Sequence, residues 1–306
     1  MTAAVVFAYH NPGVRGLSVL FAHGIDVRLV VTHREAPGEN IWFESVAALA
    51  GSHGIACAAP DAPNAPDLVA RIRDLAPDFL FSFYYRQMLK PELLAIAPRG
   101  AFNMHGSLLP KYRGRVPVNW AILRGERETG ATLHEMVTKP DAGRIVDQQS
   151  VPILPDDTAL EVFNKVTVAA EIVLDRSLPG LVSGTAAMRP QDLSQGSYFG
   201  ARCAEDGRID WARSAREIHD LVRAVAPPYP GAFSQVEGIR VRILRTRVLP
   251  LRPARAGGPG WYREDGVWFA DCGDGKVLQL LKLDADGGAL AAHAPHGRKI
   301  PFDPPP

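Results

Sequence analysis

The sequence predicts a two-part α/β protein. A doubly wound, mostly parallel sheet domain is expected over residues 1–205, and a small β-barrel-like (OB-like) domain over residues 206–303. Three observations predict it. Apolar runs of strand length alternate with segments of helical spacing through roughly the first hundred residues, as in successive βαβ units. Beyond about residue 200 the runs become short strands separated by Gly and Pro, as in a small barrel or sandwich. The 306 residues also suffice for two domains, or for one large domain with an appendage.

Each element has its own signal. AAVVFAY at 3–9 is a continuous apolar run that suits a strand buried on both faces. HNPG at 10–13 reads as a turn, and 16–23 as a short helix. VRLVVT at 27–32 is the next strand, 41–52 carries helical spacing up to a glycine stop, and 55–59 is a weak short strand. A helix over 67–75 puts Leu68, Ile72 and Leu75 on one stripe. FLFSF at 79–83 is an apolar central strand, followed by a helix at 91–97 and strands at 100–104 and 144–149. In the second part a helix over 210–226 aligns Ile218, Leu221, Val222 and Val225 and stops at Pro227. Strands are expected at 232–236, 240–248, 266–270 and 277–283, with 304–306 a tail.

Composition excludes several classes. A formal net charge of +1 gives no reason to invoke a polyanionic partner. No run reaches the ~18–20 apolar residues of a membrane span, and the N-terminus lacks the basic start of a signal peptide, so a cytoplasmic protein without membrane insertion is expected. Cys57, Cys203 and Cys272 are scattered, without a CxxC pair, which argues against a disulfide framework or structural zinc. No HxH or HExxH is present, so no metal is expected. After the first strand PGVRG is not GxGxxG, which disfavours NAD, and no GxSxG marks an α/β-hydrolase. The stretch from Arg240 to Arg255 is mildly basic; it reads first as a solvated strand face and second as a phosphate- or RNA-facing surface.

One segment stands out. In FNMHGSLLPKYRGR (102–115), Asn103 and His105 lie two apart, so in an extended chain they face the same side. Imidazole can move a proton near neutral pH, and an amide N–H can stabilise an oxyanion. In an open α/β sheet such residues emerge beyond the carboxyl ends of the strands, as do the turns after residues 9 and 83. A histidine of this kind needs an orienting carboxylate, and Asp141 in PDAG (140–143) is suitably placed, although alone it reads more readily as a turn or capping aspartate. Ser107 through Pro110 reads as the turn that aims the pair, with Ser107 no nucleophile. Lys111 and Arg113 fit either ligand phosphates or solvent.

NMHGSLLP (103–110) followed by RG (113–114), with DAG (141–143) downstream, resembles the folate-dependent formyltransferases. VVFAYH (5–10), FSFYYR (81–86), HGSLLPKYRGRVPVNWAI (105–122), GATLHEMV (130–137), DAGRIV (141–146) and RAVAPPYPGAFS (223–234) are similar to one branch. That branch is the formyltransferase half of the bifunctional UDP-4-amino-4-deoxy-L-arabinose formyltransferase and UDP-glucuronic acid decarboxylase, which acts in lipid A modification. The resemblance implies a Rossmann-like first domain, a barrel-like second one, and Asn103, His105 and Asp141 as the catalytic trio. It implies 10-formyltetrahydrofolate as co-substrate, against the backbone of Gln87, Met88 and Leu89, near Arg115 and along Val137, Thr138, Lys139 and Pro140. The branch carries His where Gln87 stands. The implied acceptor is a nucleotide amino sugar, with Tyr9, His10, Asn11 and Tyr229 as candidate contacts. The alternatives are another amino sugar, such as a dTDP-linked one, and methionyl-tRNA; near-neutral charge weighs against tRNA. Oligomeric state does not follow from the sequence.

Overall fold

The computed structural model describes residues 1–285 and 297–303; the expected tail at 304–306 lies outside the described residues, as do positions 286–296 of the second expected domain. The chain divides into two compact units. One comprises Met1–Pro117, Glu128–Val151 and Phe163–Gly200; the other comprises Val118–Arg127, Pro152–Val162 and Ala201–Pro306.

In chain order the first elements are β1 (Ala3–Ala8), α1 (His10–Ala22), β2 (Asp26–Val31), α2 (Val46–Ser52), β3 (Cys57–Ala58), α3 (Pro66–Asp74), β4 (Phe79–Phe83), α4 (Pro91–Leu94) and β5 (Ala101–His105). There follow β6 (Arg113–Gly114), α5 (Pro117–Leu123), β7 (Glu128–Glu135), β8 (Ile145–Pro152), α6 (Ala159–Ser183) and β9 (Tyr198–Phe199). Seven strands form one sheet in the order β3-β2-β1-β4-β5-β7-β8. The strands from β3 to β5 run parallel, and β7 joins β5 antiparallel. Every residue of β1 and β4 is buried, the mark of central strands covered on both faces. Val5, Phe7, Leu29, Val31 and Leu80 pack with Leu68 and Ile72 of α3 on one of those faces.

Two boundaries differ from expectation for instructive reasons. The first helix begins at His10 rather than 16, because Pro12 falls in its first turn, where a missing N–H costs nothing. Gly16 is there for proximity: a Cβ would sit 2.6 Å from the Phe83 ring on β4. The second helix begins at Val46, capped by the Ser45 side chain accepting the Ala48 N–H. Trp42 and Phe43 belong to no helix face; they pack on His10 instead.

The second unit is built on α7 (Ala215–Ala224), β10 (Ala232–Val236), β11 (Ile239–Pro253), β12 (Gly260–Glu264), β13 (Val267–Asp271), β14 (Lys276–Ala285) and β15 (Ile300–Pro301). These strands form an antiparallel sheet in the order β10-β11-β14-β13-β12-β15, a curled half-barrel. Ile218 and Val222 of α7 pack with Trp211, Val241, Ile243, Trp261 and Leu278. The helix is shorter than 210–226, since Ser214 and Glu217 form a capping box that fixes its start. Trp211 turns into the core and donates its indole N–H to Ser234 at 2.9 Å. No helix among the described residues is long and apolar enough to cross a membrane.

Candidate active site

β5 carries the proposed pair. His105 is its last residue and Asn103 stands two before it, so both project from one side of the strand. The antiparallel register with β7 sets Asn103 opposite His134 and His105 opposite Thr132. The 3.1 Å separation between Asn103 Nδ2 and His134 Nε2 follows from that pairing. His134 Nδ1 lies 2.8 Å from the Glu135 carbonyl, which can only accept. The ring therefore donates through Nδ1, and in its neutral form Nε2 accepts from the Asn103 amide.

Asp141 closes the cluster. Its Oδ1 lies 3.6 Å from His105 Nδ1 and 3.5 Å from His134 Nε2, while Oδ2 accepts the Gly114 N–H at 2.9 Å. Its backbone is left-handed, with φ of 52°, which an aspartate tolerates better than most residues. Gln191 holds this turn by donating to the carbonyls of Asp141 and Gly143. Burial works against ionisation of Asp141, but the His105 charge, His134 and the Gly114 N–H outweigh it. The carboxyl is held well below the usual carboxylate range.

His105 is buried, and its Nε2 donates to the Tyr112 carbonyl at 2.8 Å. Both ring nitrogens thus face protein acceptors. Electrostatic help from this ring needs no rearrangement, whereas proton transfer through Nε2 requires the Tyr112 bond to be exchanged for a substrate group. Ser107 is fully buried and donates to the Lys111 carbonyl at 2.7 Å. Thr132 donates to the Ser107 carbonyl at 2.6 Å and accepts from Leu109 N–H and Gln148, so the 107–110 turn is pinned from β7 and β8.

The other predicted residues lie as follows. Asn64 clamps the turn after β4: its amide donates to the Met88 carbonyl at 2.8 Å and accepts the Lys90 N–H at 2.7 Å. The Leu89 side chain is buried, Met88 is exposed, and Gln87 donates to the Asp61 carbonyl at 3.2 Å. Arg115 is exposed and reaches the Arg86 carbonyl at 3.3 Å. Val137, Thr138 and Lys139 are exposed and Pro140 half-buried.

Tyr9 lines a 360 Å³ cavity at the carboxyl ends of β1 and β2, with Thr32, His33 and Phe43. His10 is not among its lining residues; its ring is stacked on Phe43 at 4.0 Å and Nδ1 accepts the Asn11 N–H. Burial first, then the Arg86 charge, push His10 down to about 3. Asn11 accepts the Glu44 N–H at 2.9 Å. Tyr229 is partly buried against the core of the second unit. Among the described residues no group of three or more His, Cys, Asp or Glu could hold a metal ion.

Sequence reasoning missed His134, Gln191 and Asn64. His134 had a signal, since it sits in GATLHEMV seven residues before Asp141. Gln191 and Asn64 had none, because their partners are distant in sequence.

The family described as formyl transferase matches residues 5–178, and the formyl transferase C-terminal domain matches 203–294. Among solved structures, an N-formyltransferase from Helicobacter canadensis in complex with folinic acid and dTDP-3-aminofucose is similar at a TM-score of 0.70 and 20% identity, covering 92% of this chain and 99% of that one. WlaRD, a sugar 3N-formyl transferase in the presence of dTDP and 5-N-formyl-THF, gives a TM-score of 0.69 at 21% identity over 92% and 97% of the two chains. A sugar N-formyltransferase from Shewanella sp gives 0.63 at 22% identity over 79% and 96%. At these identities the likeness is one of fold. The family match covers more than half the sequence and runs through both the strand with Asn103 and His105 and the turn with Asp141, so this chain belongs to the formyl transferase family.

Proposed function

We propose that this chain transfers a formyl group from 10-formyltetrahydrofolate to the amine of a nucleotide-linked amino sugar. The 4-amino group of UDP-4-amino-4-deoxy-L-arabinose is the acceptor its sequence details favour. The observation that carries the reading is the cluster of Asn103, His105, His134 and Asp141 in a member of this family. The folate and dTDP ligands of two fold neighbours point the same way. On this reading residues 1–205 are the catalytic domain and 206–303 the second domain.

The residues present fit such a co-substrate. The turn carrying Gln87, Met88 and Leu89 is pinned by Asn64, which fixes its backbone to meet a flat heterocycle, and the exposed residues 137–139 and Arg115 can flank it. Asn103 would donate to the oxygen that gains negative charge as the amine adds to the formyl carbon, stabilising it by about 3 kcal/mol. His105 with Asp141 would hold positive charge beside that oxygen. By exchanging its Tyr112 bond, the His105 Nε2–H would protonate the departing folate nitrogen as that nitrogen's bond to the formyl carbon breaks, and the neutral imidazole would then take the proton lost by the amine. Such a relay is worth roughly 10²–10⁴-fold.

The basic stretch of the second unit supports the sugar reading over tRNA. Arg240 pairs with Glu205, Arg242 with Asp284, and both Arg252 and Arg255 with Glu264. Arg245 and Arg247 alone of these six have no carboxylate partner among the described residues, too few for a strong phosphate-tracking face. The test is formyl transfer from 10-formyltetrahydrofolate to a panel of UDP- and dTDP-amino sugars plus methionyl-tRNA. Formylation of tRNA alone, or of nothing, would sink this reading.

A further inference from the structure

Among the described residues the Arg113 guanidinium is a buried cation without a partner. It is 9% exposed, its Nε has no hydrogen bond, and none of its guanidinium nitrogens has an ion pair or hydrogen bond among the described residues. The other buried arginine among the described residues is treated differently. Arg223, 3% exposed, pairs with Asp220 at 2.7 Å and donates to the Leu154 and Asp157 carbonyls. A guanidinium cannot escape burial by losing its proton, and a buried charge left uncompensated is costly.

Its place in the chain adds the second observation. The carbonyl before it, on Tyr112, takes the His105 Nε2–H, and the N–H after it, on Gly114, holds Asp141. Arg113 is thus fixed on both sides to catalytic groups. Arg115 already serves the 86–89 turn through the Arg86 carbonyl, so Arg113 is a separate cation. Its register partner on β9, Tyr198, is 58% exposed, an open aromatic face of the kind a nucleotide uses.

The geometry points to Arg113 as the anion anchor of the acceptor, taking a phosphoryl oxygen of a nucleotide diphosphate. The guanidinium fork matches phosphate in two-point fashion. The assignment rests on the nucleotide-sugar reading for the identity of the anion. The same oxyanion chemistry exists in the glutamate carboxylates of folate, so the test separates the two.

UDP, dTDP, inorganic diphosphate and folinic acid are titrated calorimetrically into the wild-type chain, Arg113→Met and Arg113→Lys, with circular dichroism as the check on folding. Arg113→Met should weaken UDP or dTDP and diphosphate by about tenfold or more and leave folinic acid within about twofold. Arg113→Lys, which keeps charge but not the fork, should fall between. Acceptor KM should rise while donor KM holds. Unchanged nucleotide binding in a folded Arg113→Met overturns the assignment, as does selective loss of folinic acid, which would give Arg113 to the folate carboxylates.

If the Met variant does not fold, Arg113→Lys decides, and a wild-type melting temperature that does not rise with diphosphate also counts against the anchor. A chain that binds diphosphate through Arg113 yet formylates nothing loses the transferase reading and keeps this one. A chain that formylates an amino sugar with unchanged acceptor KM in the variants loses only this one.

Discussion

Asn103 owes its orientation to a side chain across the sheet. Its amide is held by His134 at 3.1 Å, and His134 is itself fixed by the Glu135 carbonyl. On the proposed reading the amide is the donor that meets the developing charge, so Asn103→Ala should lower kcat by about 10²–10³. His134→Ala leaves the donor present but unsupported, and a small misplacement should cost about 10-fold. The two effects should add only in part, because His134 acts through Asn103 as well as lying 3.5 Å from Asp141. Steady-state kinetics of the double variant check this: a loss beyond that of Asn103→Ala well short of tenfold supports the positioning role, and a full further tenfold loss removes it. For His105 and Asp141, alanine variants retaining near-wild-type kcat under saturating substrates would overturn the proton relay and its charge partner, which together should account for roughly 10²–10⁴-fold.

Among the elements, the turn between β7 and β8 is tightly constrained. A Cβ on Gly143 would lie 2.0 Å from the Glu135 carbonyl oxygen, a backbone atom that cannot swing aside. Gly143→Ala should therefore displace the turn that carries Asp141, costing about 1–3 kcal/mol of stability and most of kcat. Denaturant melts and kinetics read the two separately; unchanged kcat would show that Asp141 tolerates a displaced turn. This turn also marks what was legible in the sequence. The alternation of β5 placed Asn103 and His105 side by side, since side-chain direction in a strand has period two. The pairing of β5 with β7 was not legible, because register is a long-range property, and His134 was lost with it. The first helix was misread for a local reason: Pro12, Gly13 and Gly16 look like a turn, whereas Pro12 opens α1 and Gly16 lets it approach Phe83.

At the scale of the whole chain, the aromatic packing that buries His10 after β1 makes the fold sensitive to acid. His10 is 8% exposed among Trp42, Phe43 and Phe163, and burial followed by the Arg86 charge holds it neutral down to about 3. His33, stacked on Tyr85, is likewise depressed by burial and by Arg86, to about 4. The unfolded chain protonates a histidine near its ordinary 6.5. Between that value and about 3 the unfolded state therefore binds the extra proton and the folded state does not. Stability must fall as pH drops through this window, by up to about 1.4 kcal/mol per pH unit for a fully buried ring. Asp141 works in a different range: its lowered carboxyl adds stability above its ordinary 3.8, and that contribution is lost only as pH falls further. The two causes can thus be told apart by where the loss begins. Chemical denaturation at pH 6.5 and 5 should show the wild type losing on the order of 1–2 kcal/mol to His10. His10→Phe, which keeps the aromatic packing but cannot titrate, should show a shallower slope over the same interval. Equal slopes in the two proteins would mean that the acid sensitivity lies elsewhere, with His33 the next group to replace.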